Sequence, residues 1–206
     1  MRVVANIGGI SNISILRPDG NVTGYDTGPG NMLMDGWIHA QRGQRYDESG
    51  QWAGSGTVLP DLLAKLINEP YLALPAPKST GRDLFNTAWL MQHLQNFAQA
   101  TPNDVQATLT AFTARTLADA IKRDAPGAEA VYVCGGGAMN SHLMRLLQEQ
   151  LACPVSDTSA LGVAPQHVEA LAFAWLAERF CERLPGNLPS VTGARGLRVL
   201  GALYPA

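Results

Sequence analysis

The sequence is poor in cysteine, close to neutral in charge, and free of long apolar runs. Its three cysteines, Cys134, Cys153 and Cys181, are odd in number and stand at no zinc-ligand spacing. They are expected to be reduced thiols, not a disulfide framework or a metal centre. The four histidines, His39, His93, His142 and His167, are scattered in the same way, so no metal site is expected. Lys and Arg number 15 against 17 Asp and Glu, for a formal charge of −2. That balance gives no electrostatic case for nucleic acid or an anionic membrane. No apolar stretch is long enough to span a bilayer. The chain enters a strand pattern at once, with no basic n-region and apolar h-region, so no secretion signal is expected and the expected location is cytoplasmic. Ser190 and Thr192 lie in a Pro/Gly-rich tail with no His–Asp arrangement that would argue for nucleophilic catalysis.

What the chain does have is alternating and periodic apolar sequence, enough for one large domain with a buried core. Arg2 to Leu16 has the pattern of a hairpin around Gly8-Gly9. Arg17-Pro-Asp-Gly20 is a turn, and Asn21 to Asp26 a third strand. Thr27 to Gly30 is expected to be a sharp loop, with Asn31 as N-cap of a helix over 32–41. The polar stretch 43–56 is expected to be irregular, and 59–68 helical. The stretch 70–77 is expected to be proline-rich and extended, with a polar loop over 78–83. Helices follow over 87–97 and 101–123. Ala130 to Cys134 is a buried strand, 140–151 a helix, 154–156 a short strand, and 166–183 a strongly apolar helix. In that last helix Leu171, Phe173 and Trp175 are expected to pack in the core, and Glu169 to meet a buried polar partner or, less readily, a nucleotide hydroxyl. The tail from Leu184 to Ala206 is a strap. The order β-β-β-α, a helical insertion over about 57–125, then β-α-β-α predicts a mixed α/β sheet with helices on its faces.

Two glycine turns sit where strands end. Glycine lets backbone N–H groups approach a phosphate or ribose with no Cβ in the way. At Gly8-Gly9 the alternatives are a phosphate-binding turn or a plain hairpin turn needing positive φ. At Gly135, Gly136 and Gly137 they are a nucleoside-binding turn or a closely packed strand-to-helix connection. Asp26 ends a strand before Thr27-Gly-Pro-Gly30, where it can cap the turn through an Asx hydrogen bond or serve as a base. Arg82 either pairs with Asp83 at the surface or recognises an anion with its planar fork. Asp35 reads as a solvated helical carboxylate or as a residue that orients a neighbour.

These segments, taken together, resemble one lobe of the actin, sugar-kinase and heat-shock-chaperone ATPase superfamily, a ribonuclease H-like mixed sheet. Within it the chain resembles the anhydro-N-acetylmuramic acid kinase family. The residues carrying the resemblance are Asn6-Ile-Gly-Gly-Ile-Ser-Asn12, Tyr25-Asp-Thr-Gly-Pro-Gly-Asn-Met-Leu-Met-Asp35, Pro75-Ala-Pro-Lys-Ser-Thr-Gly-Arg-Asp83, Asp104-Val-Gln-Ala-Thr-Leu109, Cys134-Gly-Gly-Gly137, Glu169-Ala-Leu-Ala-Phe-Ala-Trp-Leu176 and Asn187-Leu-Pro-Ser-Val-Thr-Gly-Ala194. The resemblance implies a reaction in which water attacks the anomeric carbon of a 1,6-anhydro sugar while O6 takes the γ-phosphoryl group of ATP. It implies Asp26 as the base for that water. It further implies Asn6, Gly8, Gly9 and Gly135 to Gly137 around ATP, Asn31 and Arg82 at the sugar, and Mg²⁺ held mainly through phosphates and water. Asn6 stands where the superfamily often has an aspartate, and an amide brings no charge to a metal.

The resemblance covers only the C-terminal half of that family. Its N-terminal lobe carries a Gly-Thr-Ser-x-Asp-Gly phosphate loop, which has no counterpart here, so that lobe is expected as a missing partner. Ala164-Pro-Gln-His167 and Ser159 also depart from a more acidic family pattern. Apolar surface left by a missing lobe would favour a homodimer. The competing expectation is a non-catalytic remnant lobe that binds nucleotide, sugar or a partner. Another sugar or acetate kinase activity fits the Asp26 segment and the tail less well.

Overall fold

A computed structural model of the chain describes residues 1–204, so the end of the expected strap, residues 205–206, lies outside the described residues. Five strands form one sheet: β1 (Arg2–Ile7), β2 (Ile10–Leu16), β3 (Val22–Pro29), β4 (Ala130–Cys134) and β5 (Val155–Asp157). Their order is β3-β2-β1-β4-β5. β1, β2 and β3 form an antiparallel meander, while β4 lies parallel to β1 and β5 parallel to β4. This is the mixed sheet expected from three hairpin-spaced strands followed by crossover units.

Strand alternation divides the sheet into two faces. Val3, Ala5 and Ile7 of β1, Ile13 and Ile15 of β2, and Val131 and Val133 of β4 are buried together. The opposite face of the sheet carries Asn6 of β1, Asn12 of β2, Asp26 of β3 and Cys134 of β4. Side chains alternate with period two, so this split follows directly from the sequence.

Eight helices precede the strap: α1 (Met32–Arg42), α2 (Gln51–Gly54), α3 (Pro60–Ile67), α4 (Pro70–Ala73), α5 (Thr87–Leu94), α6 (Pro102–Asp124), α7 (Ser141–Gln150) and α8 (Val168–Cys181). A short helix α9 (Pro189–Thr192) lies within it. Helix α6 is the spine of the core. Pro102 opens it, Asp104 sits in its first turn, and Lys122 and Arg123 in its last, complementing the helix dipole. It buries Val105, Leu109, Phe112, Leu117 and Ile121 in one cluster with the apolar sheet face. Each such side chain contributes about 1.5–3 kcal/mol when fully buried. Its buried threonines are satisfied locally: Thr108 Oγ1 donates to Asp104 O (2.7 Å) and Thr110 Oγ1 to Gln106 O (2.9 Å). Thr113 Oγ1 instead leaves the helix and donates to Gly30 O (2.9 Å), tying the core to the segment after β3.

Several local expectations change. β3 runs on to Pro29, because Ile10 to Leu16 supplies pairing partners along the whole stretch and a register shift at Ser11/Asn12 absorbs the bend. Asn31 does not cap α1; it is already helical, and its side chain is drawn to Ile7 O instead (3.2 Å). Within 43–56 the Asp47 carboxylate accepts Trp52 N (2.9 Å) and Ala53 N (2.8 Å), which orders a 3₁₀ turn and α2. The proline-rich stretch begins as α4, capped by Glu69, and α5 stops at Leu94.

The largest correction concerns α8. Leu171, Phe173 and Trp175 are 55%, 72% and 46% exposed, Glu169 is exposed, and no residue of α8 is buried. On a helix Leu171 and Trp175 share one face and Phe173, between them, points to the opposite one, so the three cannot form one inward stripe. α8 meets the strap, where Leu176 and Phe180 lie close to Gly186, Leu200 and Gly201, and Arg179 Nε donates to Pro185 O (3.0 Å).

Phe112→Ala should therefore cost about 3–5 kcal/mol of stability in urea unfolding followed by circular dichroism. Phe173→Ser should stay within about 0.5 kcal/mol of the parent chain. A large loss in Phe173→Ser would mean that α8 packs in the core after all.

Candidate functional site

The β1–β2 turn and the start of α1 are one unit. Asn31 N donates to Gly8 O (2.7 Å), and Gly30 N and Met32 N donate to Gly9 O (2.9 and 3.2 Å). The fit is close enough that a Cβ on Gly30 would run into the Gly8 carbonyl. The two glycines of the turn behave differently. Neither has positive φ, so the expected hairpin turn built on left-handed glycine does not occur. A Cβ on Gly8 would lie 3.6 Å from Ile10 O, and one on Gly9 3.8 Å from Met32 Cβ, both ordinary contacts. Packing inside the chain therefore does not demand glycine at either position.

The second glycine turn is the reverse case for two of its three members. Gly135 has φ +79°, and its Cβ would strike the Asn6 amide and the Ile7 carbonyl. A Cβ on Gly137 would strike the Ile7 side chain. Close packing of the β4 end on the β1 end accounts for both. Gly136 stands exposed between them, with the Asn31 amide 3.3 Å from where its Cβ would be. Gly135 N donates to Pro165 O (3.1 Å), which fixes the far side of the turn. Cys134, beneath it, has its Sγ 3.7 Å from Asn6 Oδ1. Burial and the charge of Glu169 push its thiol above the usual range.

A cavity of about 320 Å³ opens beside these turns, lined by Asn31, Asp35, Asp47, Gly136, Asn140 and Gln166. Burial, reinforced by Asp47, pushes the Asp35 carboxyl up to about 6, so Asp35 is not a freely solvated carboxylate. Asn31 belongs to this cavity and not to the Asp26 side of the sheet. Among the described residues no three His, Cys, Asp or Glu side chains converge as a metal site.

Asp26 lies on the same sheet face, two strands away. Asn6 pairs with Asn12, and Asn12 with Asp26, giving a straight polar row across β1, β2 and β3. At about 4.8 Å per strand, the Cα atoms of Asn6 and Asp26 are about 10 Å apart. The Asp26 carboxylate does not cap its own turn. Its Oδ2 accepts Ser79 Oγ (2.9 Å) and Thr80 N (3.0 Å), from a loop more than fifty residues away. Among the described residues its Oδ1 has no protein partner. Asp26 N donates to Lys78 O (3.3 Å), and Asp26 O accepts the Tyr71 hydroxyl (2.7 Å). The residue is thus held at its backbone and at one carboxylate oxygen, with the other oxygen available. A hollow of about 490 Å³ beside it is lined by Asn12, Asp26, Pro77, Lys78, Ser79 and Thr192, among others.

The structure thus brings Asn6, Gly8, Gly9, Asn31 and Gly135 to Gly137 together and sets Asp26 along the sheet from them. Arg82 is not among the residues lining either space. Its side chain is exposed and forms no ion pair with Asp83. Ser79 and Thr80 of the same loop reach Asp26 instead. Asn12 and Lys78 stand in the sequence only as members of longer segments, and Tyr71 carries no signal of its own. Asn12 was within reach, because Asn6 and Asn12 are mirror positions about the first hairpin; the contacts of Tyr71 and Lys78 left no local pattern.

Comparison with known proteins completes the picture. The family model for anhydro-N-acetylmuramic acid kinase matches residues 1–206. A protein of that name from Burkholderia vietnamiensis is 59% identical over 210 residues, covering 99% of this chain and 55% of the relative. Relatives of the same name from Chromobacterium violaceum and Pseudomonas paraeruginosa are 57% and 52% identical, covering 99% and 100% of this chain and 56% of each relative. The chain spans about half the length of these relatives. Among solved structures, an activator of 2-hydroxyisocaproyl-CoA dehydratase from Clostridium difficile with bound ADPNP superposes with a TM-score of 0.51 at 17% identity. That match covers 83% of this chain and 57% of the activator and shows the shared fold. With a family model over its whole length and relatives above 50% identity, the chain belongs to the anhydro-N-acetylmuramic acid kinase family.

Proposed function

We propose that the chain is the C-terminal lobe of an ATP-dependent kinase that opens 1,6-anhydro-N-acetylmuramic acid to N-acetylmuramate 6-phosphate in the cytoplasm, as a step of cell-wall recycling. The observation that carries this reading is the polar row Asn6–Asn12–Asp26, which sets a carboxylate with one available oxygen on the sheet face that carries Asn6, two residues before the Gly8-Gly9 turn. In the reaction a water molecule gives a proton to Asp26 and its oxygen bonds to the anomeric carbon. The bond from that carbon to O6 breaks, and O6 forms its bond to the γ-phosphorus as ADP leaves. Asp26 is the base, held so that Oδ1 faces the water. Little covalent chemistry falls to the protein, so positioning and electrostatics carry the rate.

Gly8 and Gly9 offer their N–H groups to the phosphates, since their carbonyls are taken by the start of α1. That neither glycine is demanded by internal packing supports a requirement from outside the chain. The nucleoside end lies against Gly136 in the cavity shared by Asn31 and Asp35. Mg²⁺ rides mainly on the phosphates and water, since Asn6 supplies only an amide. Asn31 and Arg82, expected at the sugar, take different parts: Asn31 joins the nucleotide side, and Arg82 reaches the sugar only from the rim of the Lys78–Asp83 loop. The N-terminal lobe would supply the second phosphate loop and close the cleft. The apolar surface of α8 is available to that lobe or to a second copy of the chain. Among the described residues no helix is long and apolar enough to cross a membrane.

ADP release from Mg-ATP and the anhydro sugar, with this chain mixed with a separately produced N-terminal lobe, tests the reading. Turnover should require both lobes and the sugar. Asp26→Asn should reduce it about 10²–10⁴-fold with ATP binding retained. Near-normal turnover in that variant removes Asp26 from the chemistry, and silence from two folded, associated lobes favours a remnant binding module. Gly9→Ala gives a second check: unfolding should shift by less than about 0.5 kcal/mol while ATP affinity falls roughly tenfold. Unchanged affinity would count against the phosphate turn.

A further inference from the structure

We propose that Lys78 is a positioning residue for Asp26, pinning the loop whose two donors hold the Asp26 carboxylate. Its importance for turnover rests on Asp26 being the base; the pinning itself rests on packing alone. The Lys78 ammonium turns inward and donates to the carbonyls of Tyr71 and Leu72 in α4, both at 3.0 Å. It lies 4.6 Å from the ring centre of Tyr71 and 5.4 Å from that of Tyr25, cation–π distances. The contacts form a closed circuit. Lys78 O accepts Asp26 N, the Lys78 ammonium grips α4, and the Tyr71 hydroxyl of α4 returns to Asp26 O. The next two residues, Ser79 and Thr80, are the donors to Asp26 Oδ2. Ala73 to Pro77 before the loop and Arg82 after it are exposed, so Lys78 is the pin that draws this stretch inward.

The groups around Lys78 give the pinning a pH signature. Tyr25 and Asp26 face it from β3, Tyr71 from α4, and Asp119, Arg123 and Asp124 from α6. Burial pushes the Lys78 ammonium down to about 8, with Arg123 acting in the same direction and Asp124 against it. The neutral amine keeps two N–H donors for its two carbonyls. Opening the loop hydrates the amine and returns it toward its ordinary value of 10.5. Between these values the open loop holds the extra proton, so raising the pH favours the closed loop.

Native-state amide exchange on the ¹⁵N-labelled chain, corrected for intrinsic exchange, reads this at the Thr80 and Asp26 amides, with Val133 in β4 as core control. At neutral pH, Lys78→Met should lower protection of both amides by about tenfold and leave Val133 unchanged. In the parent chain their protection should rise by up to about tenfold between about pH 7.5 and 9.5, and Lys78→Met should abolish that rise. Lys78→Arg keeps donors and a permanent charge, so it should restore protection but not the rise. Equal protection in the parent and Lys78→Met overturns the proposal, as does a parallel loss at Val133, which would make Lys78 merely structural. These readouts need no nucleotide, sugar or second lobe. A chain with the pinned loop but silent turnover would fail the kinase reading and leave this one standing.

Discussion

Three backbone N–H groups at the start of α1, from Gly30, Asn31 and Met32, bind the carbonyls of Gly8 and Gly9, and everything else in the candidate site depends on that junction. It joins the first hairpin to the segment that follows β3, so the turn cannot move without α1. Thr113 then ties Gly30 O to the buried spine α6, which carries the rigidity of the core to the turn. The Ser11 hydroxyl, 2.9 Å from that of Thr27, adds a buried link between β2 and the end of β3. The junction uses the carbonyls of Gly8 and Gly9, while their N–H groups are not among the donors that bind α1.

From this junction the sheet extends the site in two directions. Toward β4, Gly135 and Gly137 let the strand end press against Ile7, and Gly136 is left exposed beside Asn31 and a carboxyl whose ionisation burial opposes. Toward β3, pairing register alone sets Asn12 and then Asp26 on the same face as Asn6. The parts differ in how they are held. The β4 side is held by steric contact between backbones, which tolerates no side chain. The β3 side is held by hydrogen bonds and a half-buried cation from a loop far away in sequence, which leaves one carboxylate oxygen of Asp26 available.

Much of the architecture was legible in the sequence, since period-two alternation around Gly8-Gly9 and Gly20 specifies a meander and a buried strand before three glycines specifies a crossover. The candidate site was legible in part. Asn6, the glycines and Asp26 stand at strand ends, where local pattern points to them. Ser79, Thr80, Tyr71 and Lys78 meet Asp26 through contacts spanning about fifty residues, for which no local pattern exists. Asn31 carried a good N-cap signal that failed because the residue is itself in helical conformation and its side-chain NH2 donates to the Ile7 carbonyl, so its Oδ1 does not accept from the helix N–H groups. The α8 reading failed for a different reason: an apolar helix signals that something covers it, not that the covering belongs to the same chain.

The central claim is that the junction at Gly8-Gly9 and the exposed Gly136 form one nucleotide-binding surface, the first for the phosphates and the second for the nucleoside. Titrating the ¹⁵N-labelled chain with Mg-ATP and following its amide resonances tests it most directly. Saturable shifts at Gly8, Gly9, Asn31 and Gly136, with α8 and β5 unmoved, are the result expected. Saturation with the largest shifts elsewhere, or no saturable shift at these four amides in a folded chain, would contradict it.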